Sequence, residues 1–191
     1  MKKSYLSRKE QITLSAIDII NEFGIDGLSI RELAKKENVS EGALYRHFKS
    51  KTDIIIEVLK YYTQYDTNIM NSIRRNKLDS KAGIIFLMKS FLEYYENYPE
   101  ITSISGSYES LLYEPKIKKE VLQIINRRIG FLKEIIDEGK NRGEIKLNME
   151  SEDIADLIMG YFKQIIFMWR VENYKFSLKD KVINVLNNLL S

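Results

Sequence analysis

The stretch GIDGLSIRELAKKENVSEGALYRHFKSKTDI, residues 24–54, decides how the amino-terminal part of the chain folds. It contains two short helical patterns separated by ENVS, and each pattern begins at a serine that can cap a helix. A longer helix is predicted before it, from about Ser7 to Phe23, because the glycines of FGIDG end a helix readily. Three helices with a tight turn between the last two are the elements of a helix-turn-helix.

Helix starts recur along the chain as a serine followed three residues later by an acid. The serine caps free backbone amides of the first turn, and the acid reaches back to the amide of the serine. Apolar residues follow helical spacing almost throughout, so we predict an all-α fold of nine helices. The four marked starts are Ser7 with Glu10, Ser29 with Glu32, Ser50 with Asp53, and Ser177 with Asp180.

We call residues 1–51 the head and residues 52–191 the body. The first helix beyond the head is predicted to run unbroken over about 50–75, a length of about 39 Å at 1.5 Å per residue. Such a helix would pass motion of the body to the head as a rigid rod. The next predicted helix ends near Tyr98. The four that follow span about 101–113, 116–142, 151–172 and 177–190.

Composition excludes several classes of protein. The 191 residues are 44% hydrophobic, which is enough for a packed core. The chain has no cysteine and one histidine, so disulfides and thiolate chemistry are excluded, and we predict no metal site and no cofactor. Its apolar runs are too short to span a bilayer, which predicts a cytoplasmic protein without a membrane partner. The net charge of +3 lies entirely in the head, where a polyanion-binding element would need it, but an excess of this size is also common by chance and decides nothing alone.

The third predicted helix has two distinct sides. Leu44 and Phe48 lie one turn apart and would pack on the first two helices. The other side presents small residues, Gly42 and Ala43, followed by donors such as Arg46. Small side chains would let this helix approach base edges in a DNA groove, where arginine binds guanine. The alternative is that this side is only the solvated face of a short helix.

Residues 24–54 resemble the DNA-binding signature of the tetracycline-repressor (TetR) family of bacterial transcriptional regulators. The resemblance covers roughly residues 8–60 and includes the glycine before the second helix, the LA pair, the Val-Ser entry and the LYRHFKSK ending. The rest of the chain resembles the family in length, helix count and helix order. The resemblance implies a nine-helix architecture in which a helix-turn-helix head joins a body that binds a ligand and dimerises.

Carried over by position, the resemblance implies a set of residues that lie at the DNA. Three of them, Tyr45, His47 and Lys51, match positions that usually hold phosphates. Glu41 departs from the family pattern, since many members have a neutral or basic residue there. Its carboxylate could accept a hydrogen bond from cytosine N4. Alternatively, its negative charge could stabilise the amino-terminal end of the helix through the helix dipole, and we favour this second role. The implied contacts are Arg31, Glu41, Gly42, Tyr45, Arg46, His47 and Lys51.

The last two predicted helices favour a homodimer. The helix over 151–172 is apolar nearly all round and must be covered on two sides, and the helix over 177–190 has one clear apolar stripe. A four-helix interface between two copies would cover them, as the family resemblance implies, whereas the alternative is a core within one chain. The predicted interface residues are Ala155, Gly160, Val182, Val185, Leu186 and Leu189.

The body is rich in aromatic residues and methionine, which suit a pocket for a flat or greasy molecule. Core packing is the simpler explanation for any one of these residues. No charged effector is predicted, because no acid or base stands alone within an apolar helix face. The candidate pocket residues are Met88, Tyr95, Tyr108, Phe162 and Trp169.

These observations predict a dimeric transcriptional repressor that binds a palindromic double-stranded DNA operator and is released by a small hydrophobic or aromatic effector. One alternative keeps the DNA binding without an effector, as in an architectural or division-linked factor. A remote alternative is an α-helical enzyme or binding module. The sequence lacks a phosphate loop, a metal-ligand pair and a nucleophile-histidine arrangement, so we predict no enzymatic activity.

Overall fold

The computed structural model describes residues 6–190, and every regular element in that range is helical. The predicted all-α fold is confirmed. Two of the nine predicted helices are divided, so the described residues form eleven α-helices. They are α1 (Arg8–Gly27), α2 (Ile30–Lys36), α3 (Glu41–Tyr45), α4 (Lys51–Tyr62), α5 (Asp66–Arg75), α6 (Ser80–Asn97), α7 (Thr102–Gly106), α8 (Tyr108–Leu111), α9 (Pro115–Asn141), α10 (Ser151–Val171) and α11 (Leu178–Leu189), with a 3₁₀ turn at Pro99–Ile101.

The chain forms two compact units. The first unit comprises the chain up to Gln64 and Pro99–Gln123, so it holds α1 to α4 with α7 and α8. In it, α1 packs against α2, α4 and α7. The second unit comprises Tyr65–Tyr98 and the chain from Ile124 onward, and in it α11 packs against α6 and α10. Helix α9 has residues in both units.

The four serine caps that the sequence predicts are present. The Ser7 hydroxyl accepts from the Glu10 amide, and the Glu10 carboxylate accepts from the Ser7 amide at 2.7 Å, which closes a full capping box. The other three serines each accept from the amide three residues later. Short local signals therefore place these helix starts correctly.

The predicted single helix over 50–75 is two helices in the structure. Helix α4 ends at Tyr62 and α5 begins at Asp66. The Thr63 hydroxyl donates to the Leu59 carbonyl at 3.1 Å, and the Gln64 amide bonds to the residue only three positions earlier. A threonine hydroxyl bonded back in this way bends a helix, and the tightened last turn ends it. The rigid rod expected from the sequence is therefore interrupted between α4 and α5.

The predicted helix over about 101–113 is also divided, into α7 and α8. Hydroxyl groups bond to the backbone along this segment: Thr102 donates to the Pro99 carbonyl and Ser107 donates to the Ser103 carbonyl. Such local bonds compete with the helical pattern, and Gly106 at the junction weakens the helix further. The periodicity of the apolar residues did not reveal this break.

The predicted head and body are assignments of function, and they stay predictions. Their outermost residues, 1–5 and 191, lie outside the described residues. Within residues 6–190, no helix has both the length and the apolar composition that a bilayer crossing requires.

Candidate functional site

We call residues 40–51 the recognition segment. Ser40 caps α3 by accepting from the Ala43 amide at 3.2 Å, and α3 itself is only five residues long. Leu44 and Phe48 are buried, as predicted, so their side chains anchor this segment to the interior of the first unit. Each amide of His47 and Phe48 bonds to the Leu44 carbonyl, which continues the chain as a tight turn after α3. One side of the segment is anchored and the other side stays open.

The side opposite the anchors is exposed to solvent. The exposed predicted contacts in this segment are Glu41, Gly42, Tyr45, Arg46 and His47, and Arg31 of α2 is exposed as well. One detail of the prediction needs correction: Arg46 and His47 follow α3 instead of lying within it, because α3 ends at Tyr45. Both remain within one turn of that helix, so the donors still follow the small residues.

Lys51 differs from the other predicted contacts. Its side chain is half-buried, and its ammonium group donates to the carbonyl of Ile25 at 3.0 Å. Ile25 follows Gly24, which has a positive φ of 71° and interrupts the helical backbone of α1. Lys51 thus stabilises the end of α1 in this structure. An ammonium group has three donors, so this bond leaves two of them for a phosphate.

Gly42 is not required by the packing of the chain. A Cβ atom added there would meet only the Ser40 hydroxyl, at an ordinary distance of 3.9 Å. Its φ is also not in the left-handed region where glycine is favoured. Glycine weakens a helix relative to alanine by up to about 1 kcal/mol. The packing of this chain therefore does not explain a glycine at position 42.

An acidic residue holds the turn of the helix-turn-helix to α1. The Glu37 carboxylate pairs with Arg8 at 2.6 Å and accepts the hydroxyl hydrogen of Ser15, and its side chain is 5% exposed. Glu37 directly follows α2, so these contacts orient the turn that leads into the recognition segment. The sequence analysis missed this residue because its partners lie more than twenty positions earlier.

The profile of the family described as bacterial regulatory proteins, tetR family, matches residues 12–58, which contain the recognition segment. A second profile, described as the YsiA-like protein C-terminal region, matches residues 48–191. The chain belongs to the tetR family of bacterial regulatory proteins. It is therefore a helix-turn-helix transcriptional regulator that binds DNA, and the resemblance seen in the sequence is confirmed.

Curated relatives of this regulator cover nearly its whole length. The fatty acid metabolism regulator protein of Bacillus subtilis (strain 168) is 24% identical over 184 residues, which are 95% of this chain and 93% of that protein. The biofilm operon icaADBC HTH-type negative transcriptional regulator IcaR of Staphylococcus aureus (strain Newman) is 28% identical, over 95% of this chain and 98% of IcaR. Both relatives are named as regulators, and IcaR is named as a negative transcriptional regulator.

Solved structures share the fold of this regulator. The transcriptional regulator FadR from Bacillus subtilis, in a crystal structure with stearoyl-CoA, matches with a TM-score of 0.80. The match covers 95% of this chain and 97% of FadR, at 22% sequence identity. At that identity the likeness establishes the shared helical architecture.

The candidate pocket residues of this regulator belong to two different units. Tyr108 lies in the first unit, where its ring meets Tyr62 edge-on, and the other four lie in the second unit. Those four are buried, and the rings of Tyr95 and Phe162 pack 5.8 Å apart. The Trp169 indole donates a hydrogen bond to the Phe176 carbonyl at 2.9 Å. This bond ties α10 to the segment that connects it to α11. Met88 is fully buried.

An open groove in the second unit has a different lining. Its volume is about 390 Å³, and Tyr65, Tyr94, Tyr98 and Phe86 supply its aromatic rings. None of the five candidate pocket residues lines it. Among the described residues, no group of three or more acidic or histidine side chains is arranged to hold a metal ion.

The structure reveals a buried ion pair that the sequence analysis missed. Asp66, the first residue of α5, pairs with Arg128 of α9, and both are almost fully buried. The guanidinium group binds both carboxylate oxygens, at 2.7 and 2.9 Å. No acid or base was expected to stand alone within an apolar helix face, so this buried pair was not anticipated. Helical periodicity could not show it, because the two residues are 62 positions apart.

The predicted dimer residues divide into two groups. Ala155, Val182 and Leu186 are buried within the chain itself, so they belong to its own core and cannot form a surface for a partner. The stripe on α11 faces inward because that helix packs against α6 and α10. Gly160 and Val185 are exposed, and Leu189 is half-buried.

Other residues of α10 extend the exposed apolar surface. Leu157, Phe167 and Val171 are each more than half exposed. They lie on one face of the helix with Gly160, since their spacings approximate whole helical turns. A Cβ atom at Gly160 would meet nothing within 4 Å in this chain. We call Leu157, Gly160, Phe167 and Val171 the exposed α10 face.

Proposed function

We propose that this regulator is a homodimeric repressor that binds a palindromic operator and is released by a small apolar effector held in the body. The recognition segment carries the proposal. It combines a small residue that the chain does not need, Gly42, with exposed donors that follow it, Arg46 and His47. Arg46 would read a guanine edge, whereas Tyr45, His47 and Lys51 would hold phosphates. Glu41 begins α3 and acts there on the helix dipole.

A dimer follows from the exposed α10 face. Large exposed apolar side chains on one side of a helix often mark an interface, and a two-fold interface uses the same surface on both copies. Two recognition segments related in this way would lie about 34 Å apart, on successive major grooves of a palindrome. Val185 and Leu189 of α11 would contribute at its border.

The effector is proposed to carry an apolar chain. The interior of the second unit offers aromatic rings, including Tyr95 and Phe162. One relative is named a fatty acid metabolism regulator, and the FadR structure contains stearoyl-CoA. An effector of this kind would have to bind the released state of the regulator better than the operator-bound state. Regulation of this kind needs no catalytic step, and we place it in the cytoplasm with the DNA.

The test begins by selecting DNA sequences from a random pool with the full-length protein. We expect a palindrome whose half-sites are centred about one helical turn apart. Replacing Arg46→Ala should weaken binding to that palindrome by about 10–150-fold, the value of one bidentate base contact. Affinity would be measured by fluorescence anisotropy at several salt concentrations, because phosphate contacts depend on salt.

Two matched variants separate base reading from charge. Arg46→Lys keeps the positive charge, so we expect the salt dependence of wild type with a loss of discrimination against mismatched sites. Lys119→Ala removes a charge from an exposed position on α9 and should bind like wild type. Unchanged affinity and discrimination in Arg46→Ala would contradict the assignment of the recognition segment.

A further inference from the structure

The buried ion pair of Asp66 and Arg128 is surrounded by apolar and aromatic groups. The Arg128 guanidinium lies 4.5 Å from the centre of the Phe91 ring and donates to the Tyr95 hydroxyl at 3.3 Å. The rings of Phe91 and Tyr95 both pack against Phe162, at 6.3 and 5.8 Å. A single buried cation therefore stands at the edge of an aromatic cluster.

Stability alone is a weak reason for this arrangement. A buried ion pair is costly to desolvate, and apolar residues of similar size often replace such a pair without loss. Helix α5 also has a second link to α9, because Arg74 near its end pairs with Glu134 and Glu138, both at 2.6 Å. That second link lies on the surface, where ions stay hydrated. The buried pair instead offers a chemical capability in a setting shielded from water.

That capability is recognition of a carboxylate beside an apolar body. The planar guanidinium group matches two carboxylate oxygens, and Asp66 occupies this position in the structure. Phe91 and Phe162 would accept an apolar chain attached to such a carboxylate. The chemistry of the surroundings thus suits an amphiphilic acid.

We propose that Arg128 is an exchangeable carboxylate site, which Asp66 fills in the ligand-free protein and the carboxylate of an apolar-chain effector fills in the ligand-bound protein. This inference rests on the proposed function, since it specifies the head group of the effector. It assigns Asp66 as an internal competitor of the ligand.

The exchange has a direct consequence for the chain. Asp66 is the first residue of α5, and the break after α4 lies immediately before it. When the effector takes Arg128, the start of α5 loses its buried attachment to α9. The break between α4 and α5 is then free to adopt another geometry.

The experiment compares decanoate with 1-decanol, which share an apolar chain and differ in the carboxylate. Binding to the full-length protein is measured by titration calorimetry and by the fluorescence of Trp169, the single tryptophan. We expect wild type to prefer decanoate by about tenfold or more, because the ligand forms a charge-assisted bidentate pair. Asp66→Asn should bind decanoate about tenfold more tightly still, since it leaves the buried guanidinium without its carboxylate. Binding of decanol should stay unchanged.

A double variant, Asp66→Asn with Arg128→Gln, keeps hydrogen-bonding groups and removes both charges. It should lose the preference for decanoate, and this result decides the question even if Asp66→Asn alone does not fold. Arg127→Gln is the matched control, because Arg127 is nearly half exposed and lies 3.6 Å from the same carboxylate. It should keep the wild-type preference.

Three results would overturn the proposal: no decanoate binding, the same ratio of decanoate to decanol affinity in wild type and the double variant, or no gain in a folded Asp66→Asn. Binding to the selected palindrome is measured in parallel with and without decanoyl-CoA. The protein could bind this DNA and be released by decanoyl-CoA, while the ratio of decanoate to decanol affinity is the same in wild type and the double variant. That result would refute only the exchange at Arg128. A protein that binds no DNA sequence specifically would refute the proposed function itself.

Discussion

The recognition segment and the buried ion pair show two opposite ways in which a sequence places its candidate functional residues. In the recognition segment, the important side chains lie within residues 40–51 and are mostly exposed. In the buried pair, Asp66 and Arg128 are separated by 62 positions and shielded from solvent. The first arrangement depends on a local helix with caps and anchors. The second exists only after the second unit has packed.

The largest expected effect concerns the exposed α10 face, which we propose binds a second copy of the chain. Phe167→Asp places a charge on a side chain that is 58% exposed in the single chain. A charge is strongly unfavourable in an apolar interface, so the protein should become monomeric in light scattering. Operator affinity should fall by about 100-fold or more, because the two half-sites no longer bind together.

Phe86→Asp is the matched control for Phe167→Asp. Phe86 is also an exposed phenylalanine of the second unit, and it lines the open groove instead of α10. This variant should remain dimeric and bind the operator like wild type. A dimer in Phe167→Asp at the wild-type dissociation constant would refute the interface.

A second prediction concerns a glycine that packing does require. A Cβ atom at Gly139 of α9 would lie 2.6 Å from the Ser80 Cβ and 2.9 Å from Ile145. Gly139→Ala should therefore lower the free energy of unfolding by about 1–3 kcal/mol through overpacking. Urea unfolding followed by Trp169 fluorescence measures this change. A variant as stable as wild type would show that α6 and α9 can separate without cost.

The contrast explains how much of the molecule could be predicted from its sequence. The helix starts at Ser7, Ser29 and Ser177 follow from side chains within three residues of the cap, so they were predicted correctly. The anchors Leu44 and Phe48 follow from spacing along one helix. The break after Tyr62 was missed because the bond from Thr63 to a carbonyl competes locally with a helix whose apolar period continues.

Residues that depend on distant partners could not be predicted in the same way. Ala155 was assigned to a dimer interface as a small residue that allows close approach, and Val182 as part of an apolar stripe. Neither signal shows which neighbour covers the residue. In the structure α11 packs inward within the same chain. Nothing in the sequence singled out Arg128, and its burial against Asp66 is seen only in the structure.

A third prediction tests the glycine of the recognition segment against Gly139. Gly42→Ala should leave stability unchanged or raise it by up to about 1 kcal/mol, because the added methyl group meets only ordinary contacts. It should weaken operator binding by about tenfold, since the methyl group would hinder close approach to the base edges. Thermal unfolding and fluorescence anisotropy measure the two effects. Weaker binding together with lower stability would indicate that Gly42 serves the fold, as Gly139 does.

The smallest expected effects concern two glutamate side chains that cap helix starts, one in each compact unit. Glu10 has a pKa lowered below its ordinary value of 4.5 by hydrogen bonds from the Ser7 side chain and backbone. Glu144 has a pKa lowered chiefly by a hydrogen bond from the Ser80 amide, at 2.8 Å, which caps the start of α6. A lowered pKa in the folded state stabilises the fold above the unfolded pKa. That contribution is lost as the pH falls through the folded pKa.

Wild type should therefore lose stability as the pH falls below about 4.5, the ordinary pKa of glutamate. Glu10→Gln and Glu144→Gln should each be slightly less stable than wild type at pH 7, and each difference should shrink toward acid pH. Urea unfolding at pH 7, 5 and 3.5 measures this, by Trp169 fluorescence for Glu144→Gln and by circular dichroism for Glu10→Gln. A difference that stays constant with pH would mean that the glutamate stabilises its helix through packing, because a charged cap must lose its effect when the carboxylate is protonated.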